Sequence, residues 1–174
     1  METYNVLFYA KKVKNNPKAS TIYLRITVSG KRTEISTGQT INTSQWGIKS
    51  GKVAGNTPNA KQLIAIKHTA TQMEKVRKVL KNKPISISSW FRATAVNKAV
   101  GGVSNSDHIS GYAVDFKCPG FGSITDICKA LVASDIKFDQ LIWEYGRWVH
   151  ISFSPSMRQQ VLYIKGRGYQ QGLP

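Results

Sequence analysis

The sequence predicts an α+β protein, in which antiparallel hairpins are combined with a few amphipathic helices. Two hairpins are indicated, because alternating apolar residues flank short turns at residues 29–30 and 145–147. Helical periodicity predicts helices over residues 57–80 and 123–134. At 174 residues the chain has room for one ordinary domain or two small ones.

The first elements predict a small, basic, β-rich domain over residues 1–56. Its predicted elements are a strand at 4–9, a basic loop at 11–18, a hairpin of 22–28 with 31–37, and glycine-rich loops with one short strand at 38–56. In the hairpin, a turn at Ser29-Gly30 would place Arg25 opposite Glu34, so that opposite charges face each other. The same register places Leu24 opposite Ile35.

The second predicted domain covers residues 57–174 and begins with a helix. Thr57 is expected to cap it and Pro58 to be its first residue. Its apolar stripe consists of Leu63, Ile66, Ala70, Met73, Val76 and Leu80.

Shorter elements are expected after this helix. They are a strand at 85–89, a helix capped by Thr94 and ended by Gly101-Gly102, a polar loop at 103–112, a strand at 112–116, a helix begun by Ser123 and Asp126, and hairpin arms at 140–144 and 148–153. The glycine-containing tail from Lys165 is predicted to be poorly ordered.

Positive charge is concentrated in the first half of the chain. The net charge is +16, and residues 1–83 hold sixteen basic and three acidic residues, whereas residues 84–174 hold nine and six. This asymmetry favours a polyanionic partner, with nucleic acid first and an anionic surface second, while solubility alone is the plain alternative. The expected DNA contacts are Lys11, Lys12, Lys14, Arg25, Lys31 and Arg32.

Neither a membrane span nor a secretory leader is predicted from the sequence, so the product is expected to start in the cytosol. Cys118 and Cys128 are the two cysteines, and both are interpreted as small packing residues. A disulfide between them stays open as an alternative if the protein works outside the cell.

Two histidines and one aspartate suggest a metal site. His108 lies seven residues before Asp115, and His150 follows in an apolar, strand-like segment. Two imidazoles and one carboxylate form an established ligand set for a catalytic zinc that keeps a fourth position for water. The third histidine, His68, lies in a basic helical stretch and is expected at the surface.

The segments around these residues resemble the zinc D-alanyl-D-alanine carboxypeptidase family of peptidoglycan hydrolases. The motifs are Ser-Asp-His-x-x-Gly-x-Ala-x-Asp over residues 106–115, Phe-Asp-Gln-Leu-Ile-Trp-Glu over 138–144 and Trp-Val-His-Ile-Ser over 148–152. Residues 87–92 and 95–102 match that family's Ser-Gly-Tyr-Arg segment and the helix after it, although Trp90-Phe91 replaces Gly-Tyr. The resemblance covers the chain from about Pro58 onward.

The resemblance implies a hedgehog-like zinc-peptidase core, a small antiparallel sheet with flanking helices, and a Zn²⁺ ion bound by His108, Asp115 and His150. It implies that Arg92 holds a peptidoglycan stem peptide and polarises its carbonyl group. Ser106 is expected to bond the substrate or to orient a ligand. Trp90, Trp143 and Trp148 are candidates for either cleft or core.

Glu144 is the expected general base, but here the sequence departs from the family's pattern. Many relatives have the acid three residues before the last histidine, where this chain has Arg147. A three-residue hairpin loop would place Glu144 on the same face as His150, whereas a two-residue turn would place it on the other face. Asp107 and Asp139 are weaker candidates for the base.

A second resemblance concerns about the first fifty-five residues. The segment Ile-Tyr-Leu-Arg-Ile-Thr-Val over 22–28, with residues 30–38, Trp46 and Gly51-Lys52-Val53, resembles the arm-DNA-binding domain of some bacterial tyrosine recombinases. No core-binding or catalytic recombinase domain is recognisable after it, so recombination is not inferred.

Taken together, the sequence predicts a zinc-dependent peptidase of the cell wall, with a phage or mobile-element lysin as the expected setting. The leading alternative is a DNA-binding protein whose carboxypeptidase-like domain is not catalytic. A purely structural zinc, with its fourth position filled, is the third alternative.

Overall fold

The computed structural model describes residues 4–48, 50–55 and 57–174 and shows a mixed α+β chain. Its elements are β1 (Tyr4–Val13), β2 (Asn16–Val28), β3 (Lys31–Asn42), a 3₁₀ turn (Thr43–Gln45), β4 (Trp46–Gly47), β5 (Lys52–Val53), α1 (Pro58–Val79), β6 (Ser86–Ser89), α2 (Thr94–Ala99), α3 (Asp107–Ser110), β7 (Ala113–Lys117), α4 (Ile124–Val132), β8 (Gln140–Glu144), β9 (Trp148–Ser152), β10 (Gln160–Ile164) and β11 (Gln170–Gln171). The chain forms two compact units, residues 1–67 and 68–174, which divide within α1. The domain boundary after residue 56 stays a prediction.

The first unit contains a three-stranded antiparallel sheet in the order β1, β2, β3. The predicted turn between β2 and β3 is confirmed, since Ser29 and Gly30 both have positive φ angles, of 46° and 80°. Such angles match the twist of a two-residue hairpin turn. The predicted register is confirmed as well, with Arg25 opposite Glu34 and Leu24 opposite Ile35.

Two predictions for this unit were wrong. The basic stretch 11–18 is not a loop, because β1 and β2 continue through it to a two-residue turn at Lys14-Asn15. The loop was predicted from polarity alone. Lysines can also occupy the exposed positions of a hairpin that extends beyond the core, and here they do. Residues 38–56 hold more strand than expected, since β3 continues to Asn42 and β4 pairs with β5.

Helix α1 begins as the sequence predicts. The Thr57 hydroxyl accepts a hydrogen bond from the Ala60 amide (3.2 Å), and Pro58 is the first helical residue. Every residue of the predicted apolar stripe is buried. His68, expected at the surface, is instead half-buried, with its ring edge-on to Tyr112 at 6.2 Å.

The second unit is built on a six-stranded sheet in the order β11, β10, β8, β9, β7, β6. All neighbouring strands are antiparallel except β8 and β10. Helix α4 packs against β8 and β9 and begins with the predicted capping box, in which Ser123 and Asp126 bond each other's backbone amides. Its residues Ile127, Cys128 and Leu131 are buried in the core.

Three predictions for the second unit were also wrong. Thr94 does not cap α2, because the cap position is Ala93 and has no side-chain hydrogen bond. Residues 103–112 are not all loop, since they include α3. The segment from Lys165 is not structureless, because its Gln170-Gln171 pair forms β11 against Leu162 and Tyr163 of β10.

Both cysteines are buried and free, which confirms their interpretation as packing residues. Burial raises the pKa of the Cys128 thiol to about 12, so this thiol is unreactive near neutral pH. Among the described residues, no helix has the length and apolar character needed to cross a membrane.

Candidate active site

The sheet of the second unit brings Asp115 and His150 together. Asp115 of β7 lies directly opposite His150 of β9, and the two side chains therefore point to the same face. Asp115 Oδ1 is 2.8 Å from His150 Nδ1. Both residues are buried.

The short helix α3 supplies His108. Ser106 caps this helix by accepting the His108 amide, and Gly111 ends it with a φ of 91°, which favours glycine. The Gly111 carbonyl accepts hydrogen bonds from Thr69 Oγ1 and Trp90 Nε1, both at 3.1 Å. These contacts fix the position of the helix that carries His108.

The orientation of the His108 ring is set by the backbone. His108 Nδ1 is 2.6 Å from the Trp90 carbonyl oxygen. Because a carbonyl oxygen only accepts, this nitrogen carries a hydrogen and donates the hydrogen bond. The Nε2 atom of the same ring faces the other two residues, at 3.1 Å from Asp115 Oδ1 and 3.2 Å from His150 Nδ1. A carbonyl that fixes the outer nitrogen in this way is typical of metal-binding histidines.

The three donor atoms fit a zinc ion. His108 Nε2, Asp115 Oδ1 and His150 Nδ1 are 2.8 to 3.2 Å apart, and the three residues form a group that could hold a metal. A tetrahedral zinc with bonds of about 2.0–2.1 Å places neighbouring ligand atoms about 3.3 Å apart. The predicted cofactor, Zn²⁺, therefore suits this centre in both ligand type and spacing.

Asp115 is held in the ionised form that a metal ligand requires. Burial favours its neutral form, but hydrogen bonds from His108 and His150 outweigh burial and lower its pKa below the ordinary range. Its second oxygen, Oδ2, accepts a hydrogen bond of 2.6 Å from Arg92 Nη2. Both carboxylate oxygens are thus used.

Arg92 lies beside the candidate metal ligands. Its Nε donates to Ser89 Oγ at 2.8 Å, and its Nη2 binds Asp115. The predicted substrate arginine is therefore also the residue that orients a ligand carboxylate. Among the described residues, its Nη1 group donates no hydrogen bond.

Glu144 lies on the same face of the sheet as His150, one of the candidate metal ligands. The β8–β9 hairpin has a three-residue loop, Glu144 is opposite Trp148, and His150 is opposite Ile142. The three-residue loop therefore places Glu144 on the face of His150, which is the first of the two alternatives considered from the sequence. Burial raises the pKa of Glu144, and the charge of Asp115 adds to the shift, while His150 and Arg92 oppose it.

The weaker candidates for the base differ in their surroundings. Asp107 is the first residue of α3 and lines the cleft. Asp139 is fully buried and is bound by the Arg158 guanidinium at 2.6 and 2.8 Å, so it is not free to accept a proton from substrate.

The three tryptophans divide between core and cleft. Trp90 is buried, and its Nε1 donates to the Gly111 carbonyl oxygen. Trp143 Nε1 donates to Thr125 Oγ1 at 3.1 Å. Trp148 lines the cleft, as does Ser106.

The cleft has a volume of about 910 Å³ and contains every predicted residue of the metal site. Along its floor, the residues that face the cleft come from alternate positions of neighbouring strands, as the register requires. Among the wall residues that sequence reasoning did not assign to a site are Tyr145, Arg158 and Tyr169. Nothing in the sequence around Tyr169 indicated a site residue, because the glycines near it are typical of a poorly ordered C-terminal segment.

The predicted DNA contacts lie in the first unit. Lys11, Arg25 and Arg32 share one face of its sheet, since Lys11 is opposite Thr21 and Arg32 opposite Thr27. On this face Arg25 and Lys11 both bind Glu34, at 2.8 and 3.5 Å. Lys12, Lys14 and Lys31 are exposed.

Comparison with known proteins agrees with the geometry of the centre. A family model described as peptidase M15 matches residues 37–152. A zinc D-Ala-D-Ala carboxypeptidase from Streptomyces albus G is 32% identical over 99 residues, which are 57% of this chain and 35% of that protein. The chain thus spans about a third of the length of this curated relative. From the match over residues 37–152, the chain belongs to the peptidase M15 family.

Proposed function

We propose that the chain is a zinc metallopeptidase that hydrolyses a D-Ala-D-Ala or related peptide bond of peptidoglycan, on a hedgehog-like carboxypeptidase core. The observation that carries the proposal is the convergence of His108 Nε2, Asp115 Oδ1 and His150 Nδ1 in a cleft that also contains the half-buried Glu144. The substrate class comes from the name of the Streptomyces relative.

Zinc held by His108, Asp115 and His150 would supply Lewis acidity, which makes water easier to deprotonate near neutral pH. Glu144 accepts the proton of the attacking water through its carboxylate and then gives it to the leaving amine. Its raised pKa supports the role of base, because a carboxylate becomes a stronger proton acceptor as its pKa rises.

Arg92 orients the substrate from the other side of the centre. Its Nη2 holds Asp115, and its Nη1 is left to donate to the carbonyl oxygen of the scissile bond. Arginine suits this position because it stays protonated at any pH at which the enzyme works. The negative charge that develops on that oxygen is thereby stabilised.

The wall peptide is expected to lie along the strands of the cleft floor. A volume of about 910 Å³ is at the upper end of the range for small-molecule sites, which suits several residues of an extended peptide. Whether one terminal residue or a longer fragment is released depends on how far the peptide continues on the amine side of the cut.

Product analysis tests the proposal. Zinc-loaded protein is incubated with acylated peptides ending in D-Ala-D-Ala and with purified peptidoglycan, and the products are separated by mass spectrometry. Free D-alanine identifies a carboxypeptidase, larger peptides identify an endopeptidase, and loss of wall turbidity supports the lysin expectation. No hydrolysis of either substrate by the zinc-loaded protein, under conditions in which it stays folded, contradicts the proposal.

A further inference from the structure

Arg158 is an arginine in the cleft that the reaction described above does not use. It follows β9 and precedes β10, and it lines the same cleft as the metal ligands. Its side chain is about half exposed, with a relative accessibility of 52%. A half-exposed arginine beside a buried catalytic centre is free to meet a ligand.

The guanidinium of Arg158 is fixed in place by Asp139. Its Nε donates to Asp139 Oδ1 at 2.8 Å and its Nη2 to Oδ2 at 2.6 Å, which is a bidentate pair. The backbone amide of Arg158 also donates to Asp139 Oδ1, at 3.1 Å. Because Asp139 is fully buried, this arrangement holds the guanidinium rigidly.

The pair leaves one edge of the guanidinium unused. A guanidinium has five N–H donors in a planar fork, and Asp139 uses two of them. The three remaining donors, on Nη1 and Nη2, make no hydrogen bond among the described residues, although the charge of Asp107 is close enough to add to the raised pKa of the guanidinium. An edge with two parallel N–H groups matches the geometry of a second carboxylate.

The position of Arg158 along the cleft limits which carboxylate it can bind. Ile142 marks the level of the metal site on β8, because it lies opposite His150. Asp139, which holds the guanidinium, immediately precedes β8 and is three residues before Ile142, or about 10 Å along the chain at the rise of a strand. That distance corresponds to two or three residues of an extended peptide bound in the cleft.

We propose that Arg158 is a substrate-specificity residue that binds a free carboxylate of the peptide, two or three residues from the bond that is cut. The substrate class is therefore an acidic peptide. This inference rests on the proposed function, since it assumes that a peptide occupies the cleft. Asp139 is the positioning residue that presents the free edge of the guanidinium.

A binding experiment tests this inference separately from catalysis. The probes are acylated peptides ending in D-Ala-D-Ala, in which either glutamate or glutamine is the second, third or fourth residue on the acyl side of the scissile bond. Their affinities are measured calorimetrically with the zinc-loaded Glu144→Gln protein. We expect the glutamate peptide to bind about 10- to 100-fold more tightly at the second or third position, since a hydrogen bond to a charged group has that effect.

The key variant is Arg158→Lys, since lysine can still pair with Asp139 but lacks the second edge. We expect it to remove the preference for glutamate while the glutamine peptides bind as before. Arg147→Lys is the matched control, because Arg147 is an exposed arginine outside the cleft, and it should keep the preference. Thermal unfolding and zinc content verify that each variant is folded and loaded.

Three results would overturn the inference. They are equal affinity for glutamate and glutamine peptides at all three positions, an equal loss for both in Arg158→Lys, and no binding of any peptide to the folded, zinc-loaded protein. Failure of the proposed function has a different signature, in which peptides bind with the expected preference but the protein with an intact Glu144 does not cleave them.

Discussion

Asp115 and His150 face each other across β7 and β9, and Asp115 Oδ1 lies 2.8 Å from His150 Nδ1, within a group of residues that could hold a metal ion. Because the strands are paired directly, this part of the centre is as rigid as the sheet. His108 is the member of this group that comes from outside the sheet. Its helix, α3, is held in position by the Ser106 cap and by the hydrogen bonds that the Gly111 carbonyl accepts.

Replacing Glu144 by glutamine should abolish hydrolysis without releasing zinc. The change removes the proton acceptor but no ligand, so turnover is expected to fall by about 10² to 10⁴. Steady-state kinetics and metal analysis of the same preparation measure the two effects. Turnover close to that of the unmodified protein would transfer the role to Asp107, whose asparagine variant is the natural comparison.

Gly111→Ala should weaken both the fold and the metal site. Gly111 has a φ of 91°, a conformation that costs a residue with a Cβ about 1–2 kcal/mol. Because this glycine ends α3, we expect lower zinc affinity as well as a lower free energy of unfolding. Gly166→Ala is the control, since that glycine has an ordinary φ and open space around its Cα. A Gly111 variant with unchanged zinc affinity would show that α3 does not depend on this turn.

Asp139→Asn should destabilise the protein at neutral pH but not in strong acid. Hydrogen bonds from Arg158 lower the pKa of Asp139 to about 2, although burial opposes the shift. A depressed pKa contributes stability above the unfolded value of about 3.9 and loses that contribution as the pH falls toward 2. We expect a difference of about 1–3 kcal/mol at pH 7 that shrinks between pH 4 and pH 2.

Denaturant unfolding at several pH values measures this difference, with Asp135→Asn as the control at an exposed aspartate. A destabilisation of Asp139→Asn that stays constant down to pH 2 would mean that the ion pair with Arg158 is not its source.

The first sheet should bind duplex DNA mainly through phosphates. Lys11, Arg25 and Arg32 share one face, so replacing all three by glutamine is expected to reduce the salt dependence of log K by up to about 3, at about 0.9 for each lost phosphate contact. Titrations of the full chain at several salt concentrations measure it. Binding no tighter than that of an unrelated protein of equal charge would remove support for the recombinase-like resemblance, as would an unchanged slope.

The sequence predicted the parts of this molecule that depend on local pattern. The register of the β2–β3 hairpin follows from alternation and its turn, and the start of α1 follows from Thr57 and Pro58. The metal group could be predicted from histidine and aspartate spacing together with the family's motifs. These signals lie within segments of ten or so residues.

The missed features depend on contacts between distant segments. Helix α3 has only four residues, too few to show periodicity, although Ser106 and Gly111 cap it. Arg158 acquires its position from Asp139, nineteen residues away. Tyr169 reaches the cleft because β11 pairs with β10, which its glycine-rich sequence does not indicate.

The metal content of the purified protein tests the central claim most directly. Elemental analysis should find about one zinc ion per chain in the unmodified protein, and almost none in His150→Ala, because two ligands do not retain zinc tightly. His68→Ala is the matched control, since His68 is the histidine outside the site, and it should keep its zinc. Full retention of zinc in His150→Ala, or its loss in His68→Ala, would contradict the account.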